Sequence, residues 1–98
     1  MQVYIAGPVT GVKDYEKNFM KYERFLIRMG HKPVNPVKIC AHIKDGTHEQ
    51  YMDACLRRLM NCDAIVLMPG WKKSKGARLE YEVASAMGKS LLELYPVG

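Results

Sequence analysis

The stretch from Cys62 to Glu80 reads CDAIVLMPGWKKSKGARLE. Ala64 to Met68 is an unbroken apolar run, the pattern of a strand buried on both faces. It ends in Pro69-Gly70, a turn signal. A short basic loop follows, and a helix then opens at Gly76 with a carboxylate, Glu80, in its first turns. Strand, loop and helix in this order are how α/β proteins present groups to a ligand at the carboxyl edge of a parallel sheet. A carboxylate placed there lies close to a helix amino terminus, which favours its ionised form. Glu80 is therefore the first candidate for a nucleophile.

The same alternation runs through the rest of the chain. Val3 to Ala6 is a short apolar strand stopped by Gly7-Pro8. Residues 14–29 have helical periodicity, with Phe19, Tyr22, Leu26 and Met29 on one stripe and Gly30 placed to cap the end. Residues 31–34 form a second strand, closed by Asn35-Pro36. Residues 37–47 read as an irregular connection with a turn at Asp45-Gly46. A second helix is expected over residues 48–61, with Tyr51, Cys55, Leu56 and Leu59 turned inward. The third helix, residues 76–87, is expected to bury Leu79, Val83 and Met87, and residues 90–94 form the last strand.

Strict β-α-β-α-β-α-β alternation predicts a parallel sheet with right-handed crossovers. The expected strand order is 2-1-3-4, with the switch point between the first and third strands. Ligands bind such sheets beyond the carboxyl ends of the strands at that point. The loops that meet there are residues 7–13 and 69–75. Topology thus locates a site before any family is considered.

Size and composition narrow the options. Ninety-eight residues make a single domain, residues 1–98. No apolar run approaches the ~20 residues of a membrane span. The opening MQVYIAGPVTG lacks the basic flank and long apolar stretch of a signal peptide, so it is expected to be the first strand of a cytoplasmic protein. Cys40, Cys55 and Cys62 are an odd number, which favours reduced thiols. Cys40, His42, His48 and Cys55 lack the paired spacing of a metal site, and neither a metal nor a cofactor is expected. The net charge of +5 gathers at Arg57 and Arg58 and again at Lys72, Lys73, Lys75 and Arg78. A solvated surface, phosphate recognition on a small ligand and nucleic-acid binding all fit this charge. Nucleic acid ranks last, because neither zinc-finger spacing nor an aromatic RNA-binding strand is present.

The two loops carry different signals. AGPVTG follows a strand, but Gly7 and Gly11 are separated by three residues and Val12 follows, so neither the Walker nor the dinucleotide fingerprint is met. Tyr4 lies in the strand before it, where the ring can pack and the hydroxyl reach the pocket. In the second loop, Ser74 is placed to cap the third helix. Ser74 and the free amides of residues 75–77 could equally hold a phosphate, assisted by Lys75 and Arg78. Glu80 has a plain alternative as an exposed partner of Lys75 or Arg78, as Glu82 and Glu93 are expected to be.

Four segments, in order, resemble the nucleoside 2-deoxyribosyltransferase superfamily, most closely its short bacterial and phage branch. They are YIAGPVTG at Tyr4 to Gly11, Asn18 with Phe25 in the first helix, Val34-Asn35-Pro36, and CDAIVLMPGWKKSKGARLE with Ala84. The resemblance implies a flavodoxin-like α/β domain of three layers, helices covering both faces of the sheet. It implies cleavage of the N-glycosidic bond of a nucleoside or nucleotide, with a glutamate attacking the anomeric carbon and a base or water completing transfer or hydrolysis. By residue matching, Glu80 falls on the nucleophile, Tyr4 on the tyrosine that orients it, and Ser74 on a phosphate-binding serine of the 5′-monophosphate hydrolases. Gly7, Pro8, Gly11, Lys75, Gly76 and Arg78 complete the expected substrate-binding set.

The chain also departs from that pattern. The family's helix aspartate, eight residues before the strand-opening aspartate, is replaced by Cys55. Asp53 is the nearest carboxylate and the candidate general acid, but it sits about 200° around a helix from Cys55. Glu82 stands where many relatives have glycine. The family often completes each site with a carboxy-terminal residue of a neighbouring subunit, and here only Tyr95-Pro96-Val97-Gly98 follows the last strand. The leading expectation is a 5′-monophosphate-preferring glycosidase or transferase, since phosphate rewards nearby Lys and Arg. A nucleotide-binding module that has lost turnover and a basic interaction protein are the alternatives. A homodimer or higher homo-oligomer is expected, from the resemblance and because a four-stranded sheet leaves edges to cover.

Overall fold

The computed structural model describes residues 1–96; Val97 and Gly98, the end of the expected tail, lie outside the described residues. Strand β1 (Gln2–Ala6) is central and pairs in parallel with β2 (Lys32–Val34) and β3 (Ala64–Leu67), and β3 pairs in parallel with β4 (Ser90–Leu92). The order is β2-β1-β3-β4, as expected from the alternation. The register sets Tyr4 of β1 between Val34 and Ile65.

Because side chains alternate along a strand, β1 feeds two cores. Val3 and Ile5 point to one face and pack with Ala64, Val66 and Met68 against Phe19, Tyr22 and Leu26 of helix α1 (Tyr15–Arg28). Tyr4 and Ala6 point to the other face, with Ile65, Cys55 and Leu59 of α3 (His48–Met60) and Ala77 and Ala84 of α4 (Lys75–Ala86). The result is a three-layer α/β sandwich with helices on both faces, the flavodoxin-like arrangement.

Three local expectations are corrected. Residues 36–40 are helical, forming α2 (Pro36–Cys40), where an irregular connection was expected. The Asn35 side chain caps it by accepting the Val37 N–H at 3.0 Å, and Pro36 supplies a pre-set φ at the first position. A dipeptide that ends a strand thus also starts a helix, and Lys38 ties α2 to the buried Glu23 of α1 at 2.8 Å.

The second correction is the phase of α4. Leu79 and Met87 are 41% and 48% exposed, while the inward face is Ala77, Glu80 and Ala84. Two alanines let the helix approach β1 and β3 closely, and that approach carries Glu80 into the interior. Larger residues on the same stripe would have held it off. The third correction is minor: Met29 is half exposed beyond the end of α1, where the chain turns at Gly30.

Candidate active site

The carboxyl ends of β1 and β3 lie side by side, with the Met68 N–H donating to the Ala6 carbonyl at 2.8 Å. The loops that leave them diverge around a cavity of about 1470 Å³. A side chain at Gly7 would force Met68 to move, because a Cβ would come within 2.6 Å of the Met68 sulfur and 2.9 Å of the Met68 Cβ. Helix α1 contributes Tyr15, Asn18 and Tyr22 to the wall, α2 and α3 contribute Cys40, His48, Met52 and Cys55, and the start of α4 contributes Lys75, Gly76 and Glu80.

Glu80 is 6% exposed, and its Oε2 accepts a hydrogen bond from the Tyr4 hydroxyl. Burial raises the carboxyl from its ordinary 4.5 to about 7, while the Tyr4 hydrogen bond pulls the other way. The expectation that a helix terminus keeps this carboxylate readily ionised is therefore corrected. Glu80 lies beyond the first turn, where the field of the helix end has faded, and desolvation wins. Tyr4 is fully buried and its hydroxyl stays protonated, raised first by burial and then by the negative charge of Glu80.

Cys55 completes this group. Burial pushes its thiol up to about 12, against a lowering contact with the Tyr4 hydroxyl and with Cys40 and Glu80 adding to the rise. At neutral pH it is a neutral thiol. Asp53, the sequence's candidate acid, is on the other side of α3. It is exposed, forms an ion pair with Arg57 at 3.0 Å, and is not part of the cavity wall. The reason is geometric: two residues along a helix rotate a side chain about 200° from Cys55.

The phosphate-binding candidates divide. Ser74 is the cap of α4, accepting the Ala77 N–H at 3.2 Å, and it lines the cavity. The amides of Lys75 and Gly76 belong to the first turn and have no intrahelical acceptor. Lys73, Lys75 and, from α1, Lys21 also line the cavity, with Glu16 among them. Gly7, Pro8 and Gly76 line the cavity as expected. Gly11 and Arg78 do not: Gly11 takes a left-handed turn (φ 75°) outside the wall, and Arg78 is on the exposed side of α4. Lys72 sits over the Trp71 ring instead, 5.8 Å from its centroid.

Several wall residues lie outside the expected catalytic and substrate-binding set. Tyr15, Asn18, Lys21 and Tyr22 recur at helical spacing on the first turns of α1, directly after the first loop, and that spacing is the signal that could have found them. No common spacing joins Tyr51, His48 and Tyr95, and only the folded chain brings them to one cavity wall. Tyr95 and Pro96 reach the cavity of their own chain. Among the described residues, no group of three or more His, Cys, Asp or Glu side chains is placed to hold a metal ion, and no helix is long and apolar enough to cross a membrane.

Comparison with known proteins fits this geometry. The sequence model of the family described as "Domain of unknown function (DUF4406)" matches residues 1–93. Among solved structures, the chain is similar to the CMP N-glycosidase of Clostridium botulinum, with 25% identity, a TM-score of 0.64 and coverage of 93% of this chain and 66% of that one. It is equally similar to a 2-deoxyribosyltransferase of Leishmania mexicana, with 25% identity, a TM-score of 0.65 and coverage of 93% and 61%. The chain thus spans less than two thirds of the length of either structure. No protein of curated function matches the sequence. The resemblance to the nucleoside 2-deoxyribosyltransferase superfamily, expected from the motifs, is borne out.

Proposed function

The chain belongs to the DUF4406 family, and from that premise we propose that it cleaves or transfers the N-glycosidic bond of a nucleoside 5′-monophosphate, with Glu80 as nucleophile. The observation that carries the reading is the buried Tyr4–Glu80 pair in the wall of a cavity also lined by Lys21, Lys73 and Lys75. In the ionised form Glu80 attacks the anomeric carbon, the bond to the base breaks, and water or a second base then displaces the carboxylate. Tyr4 holds one carboxylate oxygen and so aims the other. The solved neighbours, a CMP N-glycosidase and a 2-deoxyribosyltransferase, support glycosidic chemistry.

The preference for a 5′-phosphate is supported by Ser74, the amides opening α4, and the lysines at positions 21, 73 and 75. An anion at a helix amino terminus gains from both donors and dipole. Asp53 takes no part in this reading, because it faces solvent. Cys55 is a poor proton donor to a departing base. General acid help is worth roughly 10²–10⁴-fold, so turnover slower than that of a site with a carboxylic acid in this place follows.

Cys55 also supports a second reading, a nucleotide-binding protein without turnover. Chromatography separates the two. Purified protein is incubated with ribo- and deoxynucleosides and their 5′-monophosphates, with and without an acceptor base, beside Glu80→Gln. Base release or exchange by the wild type alone supports catalysis. Saturable nucleotide binding with no base released from any compound overturns it in favour of the binding protein.

A further inference from the structure

The cavity wall carries two thiols that glycosidic chemistry does not use. Cys40 is the last residue of α2, and Cys55 lies in the third turn of α3. Their sulfurs are 3.9 Å apart, and both residues line the cavity. Cys55 is buried beside Tyr4 and Glu80, whereas Cys40 is only half-buried. We infer that Cys40 and Cys55 form a reversible disulfide when a hydroperoxide enters the cavity, and that this bond switches the Tyr4–Glu80 site off. The switching half rests on the function proposed above; formation of the bond does not.

The geometry asks for little movement. A disulfide holds its sulfurs about 2.05 Å apart, so the pair must close by about 2 Å. Cys40 ends a helix of five residues and is followed by a loop up to the Thr47 cap of α3, so the shift is absorbed in that connection and not in the sheet. Cys62 offers a contrast. It is buried, its thiol donates to the Arg58 carbonyl at 3.3 Å, and it is not part of the cavity wall.

Exposure assigns the order of events. The Cys40 thiolate attacks one oxygen of the hydroperoxide, the O–O bond breaks, and Cys40 becomes a sulfenic acid while hydroxide or alkoxide leaves. The Cys55 sulfur then attacks the Cys40 sulfur, the S–O bond breaks, and water departs with the thiol proton. Two thiols are oxidised by two electrons, and the hydroperoxide is reduced by the same two. Burial holds Cys55 as a thiol, up to about 12, which makes it the resolving partner and not the first to react. Once bonded to α2, the Cys55 sulfur no longer stands free beside the Tyr4 hydroxyl, and the α2–α3 wall is fixed.

The test reads mass before activity. Reduced protein is treated with a small excess of hydrogen peroxide, alkylated and weighed intact. The expected product has lost about 2 Da and leaves one alkylatable thiol, Cys62, with peptide mapping placing the link between Cys40 and Cys55. Cys40→Ser, and Cys40→Ala should the serine variant fold poorly, must fail to give that species. Base release should fall on oxidation and return with dithiothreitol. A gain of about 32 Da without the loss of two, or a link through Cys62 or between chains, overturns the disulfide. A correctly placed disulfide with undiminished base release overturns the switch alone. Should the reduced protein release no base, the proposed function fails while the mass result still decides the disulfide.

Discussion

Glu80→Gln removes an ionisable group while keeping the side chain's shape and an oxygen for the Tyr4 hydroxyl. Its effect on stability follows from burial. In the folded protein Glu80 titrates at about 7, against 4.5 when unperturbed. Between those two values the folded state holds a proton that the unfolded state has released, so stability falls as pH rises. The contribution is fully present below pH 4.5 and lost once pH passes 7. At about 1.4 kcal/mol for each pH unit between them, the loss is about 3 kcal/mol. The variant has nothing to titrate at position 80 in that window, and every other titrating group is common to the two proteins. Urea unfolding under reducing conditions, repeated from pH 4 to pH 8, should therefore show the two proteins diverging. Relative to the wild type, the variant should gain about 3 kcal/mol, or roughly 2 M in urea midpoint. Curves that stay parallel across the window would show that Glu80 is solvated and would remove the physical basis for its role.

Other outcomes follow from the same contacts. Tyr4→Phe deletes the hydrogen bond that lowers the Glu80 value, so the acid limb of the base-release profile should move to higher pH; an unmoved limb would disconnect the pair. Ser74→Ala should cost about 1 kcal/mol of stability as a lost cap and raise KM for 5′-monophosphates more than for free nucleosides. Equal effects on both substrate types would place the phosphate elsewhere. The phase of α4 is open to a paired measurement: Leu79→Ser should fall within about 0.5 kcal/mol of wild type, whereas Ala84→Leu should cost about 1–3 kcal/mol by overpacking. The reverse ranking would turn the helix over. Sedimentation addresses the expected homodimer, since a single species of 11.2 kDa at micromolar concentration would dismiss it.

The layers and their order are legible in the chain alone. An unbroken apolar run such as Ala64 to Met68 leaves few choices besides a doubly covered strand, and four strands alternating with helices permit few parallel topologies. The chain also marked Tyr4, Ser74 and Glu80, because strand ends and helix starts at the switch point are where side chains can meet a ligand. Periodicity also set the inward stripes of α1 and α3, Phe19, Tyr22 and Leu26 on one and Cys55 and Leu59 on the other; it did not settle the rotation of α4 against the sheet. Leu79, Val83 and Met87 make the more apolar stripe of α4, yet close approach to β1 and β3 rewards small residues, so Ala77 and Ala84 face inward, Val83 packs at their side, and Leu79 and Met87 are left exposed. That rotation turns Glu80 from a surface carboxylate into a buried one paired with Tyr4. For α3 the chain was the better guide: its inward stripe already held Cys55 and left Asp53 about 200° away, and the folded protein places the thiol in the cavity wall and the carboxylate in water. Periodicity names the candidates for a buried face. Packing distance, a property of the assembled layers, selects among them.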